Sequence, residues 1–171
     1  GARSGPVTSV LVGGLGLGYT AATVLDDPDV QSVVVVEILP EVVRWHERGL
    51  VPLSSRLTSD ARCRFVQASF FDYVESCDDR FDAILIDIDH SPVSLLDASH
   101  APFYSTEGLS TAASILNPNG VFGLWSGDDV DPAVVETLTR VFAKVDAHPV
   151  RFRNPLLNIE DTNTVYVALA P

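Results

Sequence analysis

The chain has 171 residues, 46% of them hydrophobic, enough for one domain spanning 1–171 with a buried core and too apolar for extended disorder. Its formal charge of −12 repels a phosphate backbone, which proteins bind through Lys and Arg, so nucleic acid is excluded as an expected partner and a small cationic substrate suits the field better. No apolar run approaches the roughly 18 residues of a membrane span, and the start Gly1-Ala2-Arg3-Ser4-Gly5-Pro6 lacks the apolar centre of a signal peptide, so no membrane role and a cytoplasmic location are expected.

In chain order, Val- and Ile-rich runs alternate with amphipathic stretches, the pattern of a parallel sheet covered by helices on both faces. Strands are expected at 9–13, 32–37, 64–68, 82–87, 121–125, 147–152 and 164–170. Between them fall helices at 19–25, 40–48 with Pro40 in its first turn, 70–75, 106–116, and 132–142 behind Asp131 as cap. Asn117-Pro118-Asn119-Gly120 should end the fourth helix and turn into the fifth strand. The last two strands follow one another without a helix and so form an antiparallel pair at one edge. Residues 51–62 and 153–163 read as the longest loops.

Directly behind the first strand, Gly13-Gly14-Leu15-Gly16-Leu17-Gly18 lets the backbone approach a ligand and aims helix N–H groups at it. The dinucleotide fingerprint GxGxxG would need a third glycine where Tyr19 stands, and the spacing present is GxGxG, more typical of S-adenosylmethionine sites. Glu37 closes the second strand, where a carboxylate accepts hydrogen bonds from both hydroxyls of a ribose. A tight packing turn and a solvated strand-end Glu are the plain alternatives.

Val36-Glu37-Ile38-Leu39-Pro40-Glu41, the strand end Ile84-Leu85-Ile86-Asp87 and the segment Phe103-Tyr104-Ser105-Thr106-Glu107-Gly108-Leu109 complete a pattern. Together with the glycine loop they make the chain resemble the spermidine synthase-like proteins, the polyamine aminopropyltransferase branch of the class I methyltransferase fold. That resemblance implies a Rossmann-like, seven-stranded, mostly parallel sheet with the last two strands antiparallel. It also implies decarboxylated S-adenosylmethionine as co-substrate, with its aminopropyl group passing to a small amine such as putrescine. By the same resemblance Gly14, Gly16 and Gly18 border the nucleoside and sulfonium, Glu37 holds the ribose, Ile38 packs on the adenine, and Ser69 stands where the family has the Asp that binds the adenine amino group.

Asp87 matches the first Asp of the family's Asp-Ser-Ser-Asp-Pro type motif, which orients and deprotonates the attacking amine. Such a group is needed because an alkylamine of pKa about 10 is almost wholly protonated at neutral pH. Asp87 could instead cap the following turn. The chain reads Asp87-Ile88-Asp89-His90-Ser91-Pro92, so His90 replaces the second Asp, as either a substrate contact or a loop histidine on a backbone carbonyl. Asp89 is the candidate substitute, although alternation along an extended segment points it away from the side Asp87 uses. Tyr104 is a substrate contact or a core aromatic with its hydroxyl at the surface, and Gly16 occupies the loop position where the family commonly has an Asp.

The resemblance also implies an N-terminal β-rich domain before this core. The absence of methionine raises the same expectation of sequence removed upstream. A homo-oligomer is left open, because the family's interface lies partly in that region. Beside aminopropyl transfer stand a small-molecule methyltransferase using S-adenosylmethionine, a noncatalytic nucleoside-binding relative and, last, a dehydrogenase. Cys63 and Cys77 read as structural thiols, no metal is expected, and Trp45 and His46 are expected to pack and solvate the two faces of their helix. Asp128, Asp129 and Asp131 lack calcium-loop spacing, and His100 and His148 have no partner that sequence assigns.

Overall fold

A computed structural model describes residues 6–154 and 158–171. Seven strands, β1 Ser9–Gly13, β2 Ser32–Glu37, β3 Cys63–Gln67, β4 Phe81–Ile86, β5 Leu116–Ser126, β6 Lys144–Asn154 and β7 Ile159–Leu169, form one sheet in the order β3-β2-β1-β4-β5-β7-β6. The strands from β3 through β5 in that order pair in parallel, and β7 is antiparallel to both β5 and β6. The expected antiparallel ending is therefore present. The 153–163 loop gives way to strand pairing that reaches Asn154↔Ile159, with residues 155–157 lying outside the described residues.

The central strands read as unbroken apolar runs because both faces are covered. Leu11, Val34, Val36, Ile84 and Ile86 point into one core with Phe70, Leu109 and Leu138. Val10, Val12, Val33 and Val35 point into the other with Ala21, Leu25 and Leu57. Each fully buried Val or Leu contributes about 1.5–3 kcal/mol relative to exposure, so the four-valine run of β2 anchors both layers at once.

Helices α1 Tyr19–Val24, α2 Pro40–Glu47 and α3 Ser54–Ser59 accompany the second core, and α4 Phe70–Ser76, α5 Thr106–Ser114 and α6 Pro132–Thr139 the first. Their starts follow from local chemistry. Pro40 and Pro132 occupy first turns, Ser105 accepts from the Gly108 N–H at 3.2 Å, and Asp131 accepts from the Ala133 N–H at 2.8 Å. Helix α3 replaces the expected 51–62 loop: its sequence is mostly polar and six residues long, with Leu57 alone among them an apolar core residue, too short to show a period. The segment Ala98–Tyr104 is a 3-10 helix in a stretch where the sequence pattern predicts no element. Asn117-Pro118-Asn119-Gly120 lies inside β5 as an irregularity. Pairing jumps from Phe81↔Leu116 to Ala83↔Val121, with Asn119 at φ 58.

Strand β1 sits between β2 and β4, and the chain builds outward from it in opposite directions. A crevice opens at such a switch point, beyond the carboxyl ends of the strands. Among the described residues no helix is long and apolar enough to cross a membrane, and no group of three His, Cys, Asp or Glu is arranged for a metal ion.

Candidate functional site

The glycine loop leaves β1 directly into that crevice. The Gly14 N–H donates to the Val36 carbonyl at 2.9 Å, and the Asp87 N–H donates to the Gly13 carbonyl at 2.9 Å, so the loop is tied to both neighbouring strand ends. Gly14 has φ +91, and a Cβ there would stand 2.3 Å from the Asp87 carbonyl oxygen, so only glycine fits. Gly18 is equally constrained, at φ +90 with Leu57 Cδ1 2.5 Å from any added Cβ. It packs against the second core instead of lining the crevice.

The crevice holds a cavity of about 540 Å³ lined in part by Gly14, Gly16, Glu37, Ile38, Ser69 and Asp87. Six of the ten residues singled out from the sequence therefore converge, drawn from four different strand ends. Glu37 is buried, and its carboxylate accepts from the Leu15 N–H at 3.0 Å and the Leu39 N–H at 2.9 Å, one to each oxygen. Each oxygen keeps a further lone pair. Ile38 beside it is 57% exposed, an apolar side chain presented to the opening. Ser69 accepts from the Asp72 N–H at 3.4 Å and starts α4. Asp87 is exposed, with Oδ2 accepting from the Thr20 hydroxyl at 3.0 Å and Oδ1 uncommitted.

The other four do not line this cavity. Asp89 turns into the protein, where Oδ1 accepts from the Leu96 N–H at 2.7 Å and lies 2.8 Å from His100 Nδ1. Its Oδ2 accepts from the Tyr104 hydroxyl at 2.8 Å. Burial, and then the bond to Asp89, pushes the Tyr104 phenol well above its usual range. Tyr104 borders a separate hollow of about 130 Å³ with Pro92, Leu109 and Leu124. His90 is exposed, its ring edge-on to Trp125 and 3.9 Å from Asp128, and its carbonyl accepts from the Gly127 N–H at 2.7 Å.

Further lining residues escaped the sequence reading: Phe70 and Phe71 of α4, then Leu96, Asp97, Ser99 and His100. Their signal was position, since Phe70 and Phe71 follow the β3 end through Ser69, and Leu96 to His100 lie in the stretch that leaves the β4 end at Asp87. Backbone hydrogen bonding from Ser99 holds the Asp97 carboxyl below its usual range. The histidine of α2 also corrects the expectation. His46 is buried, with Nε2 3.0 Å from the Gly16 carbonyl and its ring edge-on to Phe65, while Trp45 is the exposed member of the pair. His46 thus braces the glycine loop from below.

The chain resembles known proteins over most of its length. It is 32% identical over 128 residues to polyamine aminopropyltransferase 1 of Streptomyces coelicolor, a match covering 74% of this chain and 23% of that one. A spermidine synthase solved in complex with the transition-state analogue AdoDATO superposes with a TM-score of 0.75 at 21% identity, covering 96% of this chain and 54% of that one. Human methyltransferase-like protein 13, solved with SAH, superposes with a TM-score of 0.66 at 22% identity, covering 95% and 71%. The chain therefore spans about a quarter of this curated relative and about half of the solved spermidine synthase. The model of the spermine/spermidine synthase domain matches residues 4–131, three quarters of the chain, and on that match the chain belongs to the spermine/spermidine synthase family.

Proposed function

We propose that the cavity binds an S-adenosylmethionine-type nucleoside, decarboxylated or intact, and that the chain transfers its aminopropyl group to a small amine. One observation carries this reading. A buried carboxylate, Glu37, and an exposed one with one oxygen free, Asp87, line the same 540 Å³ cavity as a glycine loop whose backbone allows no side chain at Gly14. The volume falls within the usual range for small-molecule sites, roughly 300–1,000 Å³.

The residues present fit such a ligand. Glu37 has lone pairs left for ribose hydroxyls, Ile38 offers an apolar surface for the base, and Ser69 is the polar group beside it. Asp87 then faces the sulfonium side, where its free Oδ1 receives the ammonium of the acceptor. Family membership and the AdoDATO complex of the similar synthase support the same assignment.

The test is calorimetric titration with decarboxylated S-adenosylmethionine, S-adenosylmethionine and methylthioadenosine. The expected order places the decarboxylated form ahead of the intact one. Tighter binding of intact S-adenosylmethionine would turn the reading to methyl transfer, and no heat from a folded sample with any of the three would refute it.

A further inference from the structure

One wall of the cavity is built from Ile38 and Leu39, which follow β2, and from Ser69, Phe70 and Phe71, which follow β3. The Ala68 N–H donates to the Glu37 carbonyl at 3.1 Å and ties these two stretches together, on the far side of β1 from the β4 end at Asp87. A purine seated there buries its faces against apolar side chains and still needs partners for its polar edge. His100 joins this wall from the 3-10 helix, with its ring centroid 4.5 Å from that of Phe71.

The lone pair of that ring has a fixed place. His100 Nδ1 is 2.8 Å from Asp89 Oδ1, and the two side chains are 17% and 1% exposed. A carboxylate only accepts, so the proton between them sits on Nδ1, and the neutral ring keeps its lone pair on Nε2. Asp89 is held in turn by the Leu96 N–H and the Tyr104 hydroxyl. Among the described residues the one buried side-chain nitrogen or oxygen without a hydrogen-bond partner is Nδ1 of His46, so the unbonded Nε2 of His100 is not shut away, and the cavity is the space this residue lines.

We propose that His100, oriented by Asp89, reads the base of the nucleoside: its Nε2 lone pair accepts from the 6-amino group of adenine and so selects adenine over a 6-oxo purine. The inference rests on the nucleoside reading above and deepens it. A 6-amino group brings a donor to the lone pair. A 6-oxo group sets an acceptor against it, with no proton for either. A site built to pair with an N–H discriminates against an analogue lacking it, because its own polar group is then left unpaired. The Ser69 hydroxyl accepts from the Asp72 N–H at 3.4 Å and can turn to donate or accept, so it gives the base a partner without this selectivity. Asp89 touches no ligand on this account and acts as a positioning residue.

The test is calorimetric titration at about pH 8 with methylthioadenosine, its analogue carrying hydrogen in place of the 6-amino group, and methylthioinosine. Wild type should bind methylthioadenosine about 3- to 10-fold more tightly than the hydrogen analogue, and about 10-fold or more above methylthioinosine. His100→Phe keeps a ring against Phe71 and removes the acceptor. It should bind the hydrogen analogue within twofold of wild type and lose the preference for the amino group. Imidazole nitrogen NMR of the wild-type chain decides the matter even if that variant does not fold: His100 should be the Nδ1–H tautomer, and its Nε2 resonance should move with methylthioadenosine and much less with the hydrogen analogue. An Nε2–H tautomer, no preference for the amino group in wild type, or an unchanged preference in His100→Phe overturns the assignment and leaves the base to Ser69. A folded wild-type chain that binds none of the three would instead remove the nucleoside reading, whatever the tautomer.

Discussion

Glu37→Gln isolates the carboxylate on which nucleoside binding is proposed to rest. The two oxygens of Glu37 each accept one backbone N–H, from Leu15 at 3.0 Å and Leu39 at 2.9 Å. A glutamine keeps one acceptor and turns an NH2 group toward the other N–H, leaving a buried donor unpaired at a cost of about 1–3 kcal/mol. Alanine would orphan both donors, at about 2–6 kcal/mol, a large share of the roughly 5–15 kcal/mol that a domain has. Glutamine is therefore the variant that leaves a folded protein to measure. A hydrogen bond from a ribose hydroxyl to a charged acceptor contributes about 1.5–3 kcal/mol, so the Kd for methylthioadenosine should rise about 10- to 150-fold. The assay is calorimetric titration, repeated with an analogue lacking the ribose hydroxyls, alongside urea unfolding of both proteins. The loss should largely vanish for that analogue. Binding within twofold of wild type, or an equal loss for the analogue, would refute the direct contact and leave Glu37 a brace for the glycine loop.

Three further substitutions test the frame of the fold. Gly14→Ala combines a left-handed backbone at φ +91 with a contact 2.3 Å from the Asp87 carbonyl, so it should destabilise the fold by about 2–6 kcal/mol. Gly16→Ala, at φ +45 with nothing within 4 Å, should cost only about 1 kcal/mol, and urea unfolding that finds the two equal would refute the steric account. Asp82→Asn removes the charge of a buried carboxylate that accepts from the Thr8 N–H and hydroxyl, the Ser9 N–H and the Asn117 amide. Burial pushes the Asp82 carboxyl up, and the bonds from Thr8, Asn117 and Ser9 outweigh it, holding the carboxyl well below its usual range. The native state then binds fewer protons than the unfolded chain. Its contribution is full above about pH 4 and is lost as pH falls below that. Wild type should exceed Asp82→Asn by about 1–3 kcal/mol at pH 7, with the gap closing toward pH 2.5, and a constant gap would contradict the assignment.

The strand frame was legible because burial leaves a local trace. Val33 to Val36 must be apolar to serve two cores, and β1 and β2 end where they were expected, at Gly13 and Glu37. The polar strand β6 left a weaker trace. Most of its residues are exposed, so its ends at Lys144 and Asn154 lie beyond the expected 147–152. Partnership across distance left none. The bond from His46 to Gly16 spans 30 residues, and that from Asp89 to His100 crosses a turn whose path no periodicity reports. Six of the candidate site residues lined the cavity because strand ends at a switch point converge by topology, whereas the 3-10 segment holding His100 carried no pattern at all.

Asp89 also explains how a departure in the motif need not empty the amine path. His90 occupies the position of the family's second acidic residue, yet it stands 58% exposed beside Asp128, outside the cavity. The acidic residue one step earlier is fully engaged: both oxygens of Asp89 accept bonds from Leu96, His100 and Tyr104. Releasing Asp89 to grip an ammonium would orphan a buried hydroxyl and an N–H, about 1–3 kcal/mol each, and would free the His100 ring. A cationic acceptor is therefore better met by the carboxylates that line the cavity, Asp87 with its free oxygen and Asp97, which stays ionised through its bond from Ser99. On the proposed reading, Asp87 keeps the first anchoring place in the motif, and the second passes from the His90 position to Asp97 in the following loop. The acid left in the motif has become the support of an imidazole.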